Sequence, residues 1–309
     1  MPKTIPLNKS TLSLPSCWED LNFKQLLTTF GVIMRLFSGE LTPVQARIEL
    51  LLRYTGYKPN PWITKPETRE NINFNLLKLS EQIDFAFTVE EPESLPSGGK
   101  EIAGTITPNY TFKRPPVPYI KIGRKKYHGK RFLLDLTAKT DITAREFVDC
   151  YDLLRASGEV ENNGQKEELV NQICAILYPK NKNHTENLVS GHIEAMQKVN
   201  PVIKYIILYW FTGIVKFYTE HPRYSILFAG KKTESEESTH KISLGMNEVC
   251  LFLQREGYGI SDAMNLNDYF DAQVKALKDS ISKACAEGAK IENISQQTGL
   301  SFYQVEQLK

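Results

Sequence analysis

Histidine and cysteine are the residues most easily recruited for chemistry, and this chain has five of each. The cysteines, Cys17, Cys150, Cys174, Cys250 and Cys285, stand far apart. That excludes the CxxC redox pair and the short ligand spacing of zinc knuckles. Cys150, Cys174 and Cys250 fall among apolar residues on expected helices, where a free thiol behaves as a small hydrophobe. Among His128, His184, His192, His221 and His240, one constellation stands out: His184, His192 and Glu194. On a helix the two rings would share a face two turns apart, about 12 Å of rise, too far for one metal ion without a third element folding over them. Their plainer reading is as solvated helix histidines. There is no HExxH, Walker loop, GxGxxG or GxSxG. Since these spacings assemble no acid/base pair, metal cluster or nucleophile, the chain reads as non-enzymatic, with no cofactor expected.

The feature that does stand out is electrostatic. The whole chain carries 38 Lys and Arg against 36 Asp and Glu, a formal charge of +2. That near-neutrality is a cancellation. Residues 1–101 hold 11 basic and 12 acidic groups, residues 135–309 hold 19 and 24, and residues 102–134 hold 8 and 0. The eight are Lys113, Arg114, Lys121, Arg124, Lys125, Lys126, Lys130 and Arg131. The apolar runs Tyr119–Ile122 and Phe132–Leu136 flank Gly123–Lys130, which predicts a β-hairpin with a basic tip, or two strands joined by a basic loop. Such a tip can track phosphates, with Tyr127 and His128 stacking on bases and counterion release supplying affinity. The alternative is a solvated loop facing an acidic patch on this chain or another subunit.

Around this segment the periodicity is helical. Ser16 with Glu19, and Asn22 with Gln25, each fit a capping box before the helical run Leu26, Leu27, Phe30, Ile33, Met34, Phe37, which Gly39 stops. Thr42-Pro43 opens a second helix to Gly56, giving a helical hairpin, and a third is expected over 68–80. Phe85, Phe87 and Val89 alternate as a strand would, followed by a loop over 90–99. Thr143 and Glu146 form a further box, starting a helix that ends at Gly158. Helices over 168–178 and 186–199 follow. Asn200-Pro201 then begins the most apolar helix, whose Lys204 and Lys216 bracket only eleven uncharged residues. A bilayer span needs about 20 apolar residues, so no membrane span is expected. This helix, apolar nearly all round, is either an ordinary core helix or one wall of a groove for a client helix, through Tyr205, Tyr209, Trp210 and Phe217. Residues 230–241 read as a linker, and 246–256 and 267–287 as amphipathic helices. The last segment, Ile294-Ser295 through Thr298-Gly299-Leu300-Ser301 to Val305, resembles the helix-turn-helix pair of many DNA-binding domains. It departs from that pattern in having no Arg or Lys in its second helix before Lys309, no following third helix to brace it, and Glu292 and Glu306 where phosphates would lie.

Two further stretches carry a resemblance. Leu14-Pro15-Ser16-Cys17-Trp18-Glu19-Asp20-Leu21 with Lys24-Gln25-Leu26-Leu27 resembles the opening of uncharacterised proteins of phage and prophage structural gene clusters in gut bacteria. Ile142-Thr143-Ala144-Arg145-Glu146-Phe147-Val148-Asp149, then Leu169 through Ile176-Leu177-Tyr178-Pro179, is similar to helical proteins encoded near tail genes, a group that includes suspected tail-assembly chaperones. The resemblance implies a non-enzymatic assembly or structural role in a phage-like particle. It transfers no site residue.

At 309 residues, 41% hydrophobic and 24% charged, the composition is that of a globular protein and excludes a disordered tail or disulfide miniprotein. The expectation is an α+β, predominantly α-helical protein, a helical body with a small β-hairpin insertion and a helix-turn-helix-like C-terminal hairpin. Its segments are 1–82, a strand-containing basic region 83–140, a central helical region 141–229, the linker 230–241, and a C-terminal helical region 242–309. The N-terminus lacks the apolar core of a signal peptide, so a cytoplasmic site in the host cell, or incorporation in a virion, is expected. Proteins of the same assembly, including further copies of this chain, are the expected partners. Nucleic acid is the alternative.

Overall fold

A computed structural model of the chain describes residues 2–7, 10–58, 60, 65–90, 105–133, 139–180, 190–228, 257, 264–298 and 300–308. In chain order these form β1 (Lys3–Leu7), β2 (Ser10–Leu14), α1 (Phe23–Phe37), α2 (Pro43–Thr55), α3 (Pro66–Ser80), β3 (Phe87–Glu90), β4 (Thr105–Pro108), β5 (Tyr119–Ile122) and β6 (Lys125–His128). The helices α4 (Ala144–Glu159), α5 (Asn163–Leu177), α6 (Ser190–Gln197), α7 (Pro201–Glu220), α8 (Leu266–Ala286), α9 (Ile291–Thr298) and α10 (Phe302–Leu308) follow. The fold is α+β and predominantly helical, and the strands among the described residues pair into three antiparallel two-stranded sheets. None of the helices among the described residues is long and apolar enough to cross a membrane. The expected linker 230–241, the helix over 246–256 and the loop over 91–99 lie outside the described residues.

The chain folds as two compact units. The first comprises Met1–Val117 and Asn200–Trp210, the second Pro118–Val199 and Phe211–Lys309, so α7 gives its first half to one and its second half to the other.

In the first unit, two reciprocal capping boxes set the helical hairpin. Asn22 accepts the Gln25 N–H at 2.9 Å while Gln25 accepts the Asn22 N–H, and Thr42 and Gln45 repeat this before Pro43. Gly56, at φ +67°, closes α2 in a conformation that only glycine adopts freely. The expected Ser16–Glu19 box does not form. Ser16 donates to Asp20 instead, from both N–H and hydroxyl, and Glu19 accepts the Lys113 backbone N–H at 2.6 Å. The reason is Trp18, which turns inward to stack on Phe30 and Phe112 and meet the edge of Phe85, leaving a single 3-10 turn over 18–20. The β1–β2 hairpin was not expected, although its signal is present. Thr4, Thr11 and Ser13 are exposed while Ile5, Leu12 and Leu14 turn inward, the period of two of a half-buried strand.

In the second unit α4 packs along α5. The Thr143–Glu146 box forms as expected, but α4 runs through Gly158 to Glu159. Helix α5 begins at Asn163, five residues before its expected start. The Asn162 side chain caps the Gly164 and Gln165 N–H groups and extends the helix into a polar stretch. The core gathers around Phe147, whose ring meets Phe211, Tyr218 and Phe270. Tyr218 also donates its hydroxyl to Asn267 at 2.6 Å, fixing α7 to α8.

Candidate functional site

The basic segment is organised more tightly than its composition suggests. The second strand is not Phe132–Leu136 but the basic stretch itself. Lys125–His128 pairs with Tyr119–Ile122 in the register Tyr119↔His128, Ile120↔Tyr127, Lys121↔Lys126 and Ile122↔Lys125. Gly123, at φ +59°, supplies the positive φ that a two-residue hairpin turn requires at its first position. The aliphatic stems of Lys125 and Lys126 tolerate the strand, while Tyr127 fits the inward position opposite Ile120. Phe132 instead makes an isolated bridge to Thr140.

Residues opposite one another in a strand pair share a face, so this register sorts the hairpin into two. Inward, Ile120 and Tyr127 are buried, and the Tyr127 ring lies 5.1 Å from that of His192. Outward stand Tyr119, Lys121, Lys126 and His128, all exposed. Tyr127, expected to stack on a ligand, is therefore part of the mounting. Tyr119, 42% exposed, is the aromatic that faces out. The Lys126 ammonium sits 4.7 Å from its ring centroid and the His128 ring 6.0 Å away.

The mounting is rigid. Gly129 donates its N–H to the Pro118 carbonyl and Lys130 its N–H to the Leu177 carbonyl, tying the hairpin base to the end of α5. A side chain at Gly129 would meet the fully buried Tyr178 ring at 2.8 Å. His192, expected to be solvated, is only 4% exposed. Its Nε2 lies 3.1 Å from the Tyr178 carbonyl, which can only accept, so the proton sits on Nε2. Burial pulls the His192 pKa below its usual value. His184, its expected companion, lies outside the described residues. Among the described residues no three His, Cys, Asp or Glu side chains come close enough to hold a metal ion.

The structure divides the eight basic residues into three groups. Lys113 and Arg114 belong to the first unit. Lys130 and Arg131 are engaged in ion pairs within the second: Lys130 Nζ lies 2.9 Å from the Glu146 carboxylate and Arg131 Nε 3.1 Å from Asp141. Lys121, Arg124, Lys125 and Lys126 remain on the hairpin, and among the described residues no carboxylate pairs with them. Two of these, Lys121 and Lys126, are directly opposed, an arrangement that destabilises a strand pair by about 0.2–1 kcal/mol.

The aromatic residues expected on a client groove are placed differently. Tyr209 is buried within the first unit, its ring against Trp18, Phe30, Phe112 and Tyr110, and its hydroxyl donates weakly to the Ala86 and Asn109 carbonyls at 3.4 and 3.3 Å. Trp210 is buried, Tyr205 lies half-buried against Phe30, and Phe217 half-buried against Phe132 and Tyr218. Neither Tyr209 nor Trp210 has a free face to offer a client, because the core consumes it.

Exposed apolar surface lies elsewhere. Nine large hydrophobic residues among the described ones are exposed, and six of them, Phe23, Phe37, Val44, Tyr57, Phe74 and Leu77, fall within or beside α1–α3. Helix α3 is the extreme case. Of its fifteen residues only Ser80 is buried; Ile72, Leu76 and Leu79 are half-covered, while Phe74 and Leu77 stand 55% and 37% exposed.

The C-terminal pair does have a brace, supplied by the helix before it. Ile294, Leu300, Val305 and Leu308 close one apolar cluster with Ile281 of α8, and Ser301 and Gln304 cap α10 reciprocally. Helix α10 still presents Phe302, Tyr303 and Glu306 and no cation among the described residues, so the brace does not make it a phosphate-binding element. Comparison with protein-family models, curated proteins and solved structures finds no match.

Proposed function

We propose that this chain is a non-enzymatic assembly protein of a phage or mobile element, one that binds or chaperones a helical segment of another protein of the same particle, as a tail-assembly chaperone does. The apolar surface of α1–α3 carries the reading. A fifteen-residue helix with one buried residue gains little from its own fold, and large exposed apolar side chains such as Phe74 and Leu77 are what an amphipathic partner helix covers. The resemblance of residues 14–27 and 142–179 to proteins of phage structural clusters supports the setting.

The test is co-expression with the products of the flanking genes, one at a time. One of them is expected to form a complex that survives about 1 M salt, where the Debye length is about 3 Å and surface charge pairs are screened. The double variant Phe74→Asp, Leu77→Asp should lose that complex while keeping its circular dichroism and thermal midpoint, since both side chains are exposed. If no flanking product binds, or the complex persists in the variant, the reading is wrong.

A further inference from the structure

We infer that the outward face of the β5–β6 hairpin is a docking site for single-stranded nucleic acid, with Lys121 and Lys126 on that face and Arg124 of the turn meeting phosphates and the Tyr119–His128 pair receiving a base. This goes beyond the assembly role proposed above and rests on a different unit of the protein.

Three observations converge. The first is the charge: four cations lie within six residues of one hairpin, no carboxylate among the described residues pairs with any of them, and Lys121 directly faces Lys126. Such a face repels itself until an anion arrives. The second is the aromatic pair. Tyr119 and His128 are the neighbouring pair on the same face, two residues along the strands from the lysines, about 7 Å away. One phosphate and the next base of an extended strand span a similar step. The third is the mounting. Tyr127 against His192, Gly129 against Tyr178 and the Lys130 N–H on Leu177 hold the hairpin as a rigid element, so the ligand meets a face already formed.

The aromatic pair decides between polyanions. A closed duplex keeps its bases paired and stacked, and would use the lysines while leaving Tyr119 idle. An acidic peptide would likewise satisfy the cations alone. A single strand uses both, because every base has a face to stack and its backbone supplies regular phosphates.

The experiment is fluorescence anisotropy on the full chain with a short labelled oligothymidylate, repeated with a duplex of equal length and with polyglutamate as competitor. Neutralising about three phosphates should give a slope of log K against log salt of about −2, and Lys121→Gln with Lys126→Gln should make it shallower by about 1.4. Tyr119→Ala should weaken binding at least about fivefold, and Tyr119→Phe should restore it. All of these residues are exposed, and thermal melts of each variant confirm that the fold is retained. The inference is overturned if the single strand does not bind, if duplex or polyglutamate binds as tightly, or if Tyr119→Ala binds like the parent. None of these results bears on the complex with a helical partner, which is scored on α3 variants.

Discussion

Lys130 and Lys126 lie four positions apart, and burial gives them opposite roles. Lys126 is exposed on the hairpin, whereas Lys130 points its ammonium at Glu146, a carboxylate only 2% exposed whose second oxygen accepts the Thr143 N–H and caps α4. Removing Lys130 strands a buried charge, so Lys130→Met should lower unfolding stability by about 3–5 kcal/mol in urea titrations. The double variant Lys130→Met, Glu146→Gln should recover much of that loss, because a neutral amide still accepts the cap hydrogen bond. Neutralising Lys130 to probe anion binding would therefore report on folding. His192 makes the second residue-scale prediction. Desolvation holds its folded pKa below the ordinary value of 6.5, despite the hydrogen bond to the Tyr178 carbonyl that favours the charged form. The unfolded chain then binds the proton first as pH falls, so this contribution is complete above pH 6.5 and is lost as pH drops toward the folded pKa. Urea midpoints at pH 5.5 and 7.5 should differ in the parent, lower at the acid value, and the difference should shrink in His192→Gln.

At the scale of elements, two glycines in the second unit should respond to alanine with opposite signs. Gly129 has the Tyr178 ring where a Cβ would go, at 2.8 Å, and that ring is fully buried and cannot retreat. Gly129→Ala should cost about 1–3 kcal/mol and loosen the hairpin from α5. Gly158 lies inside α4 with open space around it, so Gly158→Ala should stabilise by about 0.5–1 kcal/mol. Both are read from thermal or urea midpoints. The hairpin itself should be stabilised by Lys121→Glu, which turns a like-charged cross-strand pair into an attractive one worth about 0.2–1 kcal/mol. The same change should abolish binding of the single strand. A variant more stable and less able to bind is the signature of a face shaped for its ligand.

For the whole molecule, net charge is a poor guide to the field it presents. The sequence pI is about 8.1, so at pH 8.5 the chain carries a slight net negative charge. A phosphocellulose column at that pH should still retain it, because the hairpin concentrates four cations without acidic neighbours in sequence. The variant Lys121→Gln, Lys125→Gln, Lys126→Gln should elute at distinctly lower salt. Equal elution would place the retaining charge elsewhere.

Local chemistry was legible from the residues alone. The boxes at Asn22 and Thr143, the Thr42 cap before Pro43 and the Gly56 stop depend on groups within a few residues of each other, and each stands where its sequence puts it. So does the existence of a basic hairpin and of the C-terminal helix pair. What the sequence could not rank was competition between distant partners. Ser16 had two carboxylates in reach, and the burial of Trp18 among rings up to Phe112 selected Asp20. Tyr119 and Tyr127 are equally aromatic, and register, counted from Gly123, turned one outward and the other onto His192. The eight cations were equivalent as letters until Glu146 and Asp141, close in space to Lys130 and Arg131, paired with two of them, drawing Lys130 inward and leaving Arg131 in an exposed ion pair. Composition thus determined that this protein carries a concentrated positive charge on a helical body. Only the tertiary structure decided which of those charges are left for a partner, because pairing and burial are set by neighbours in space.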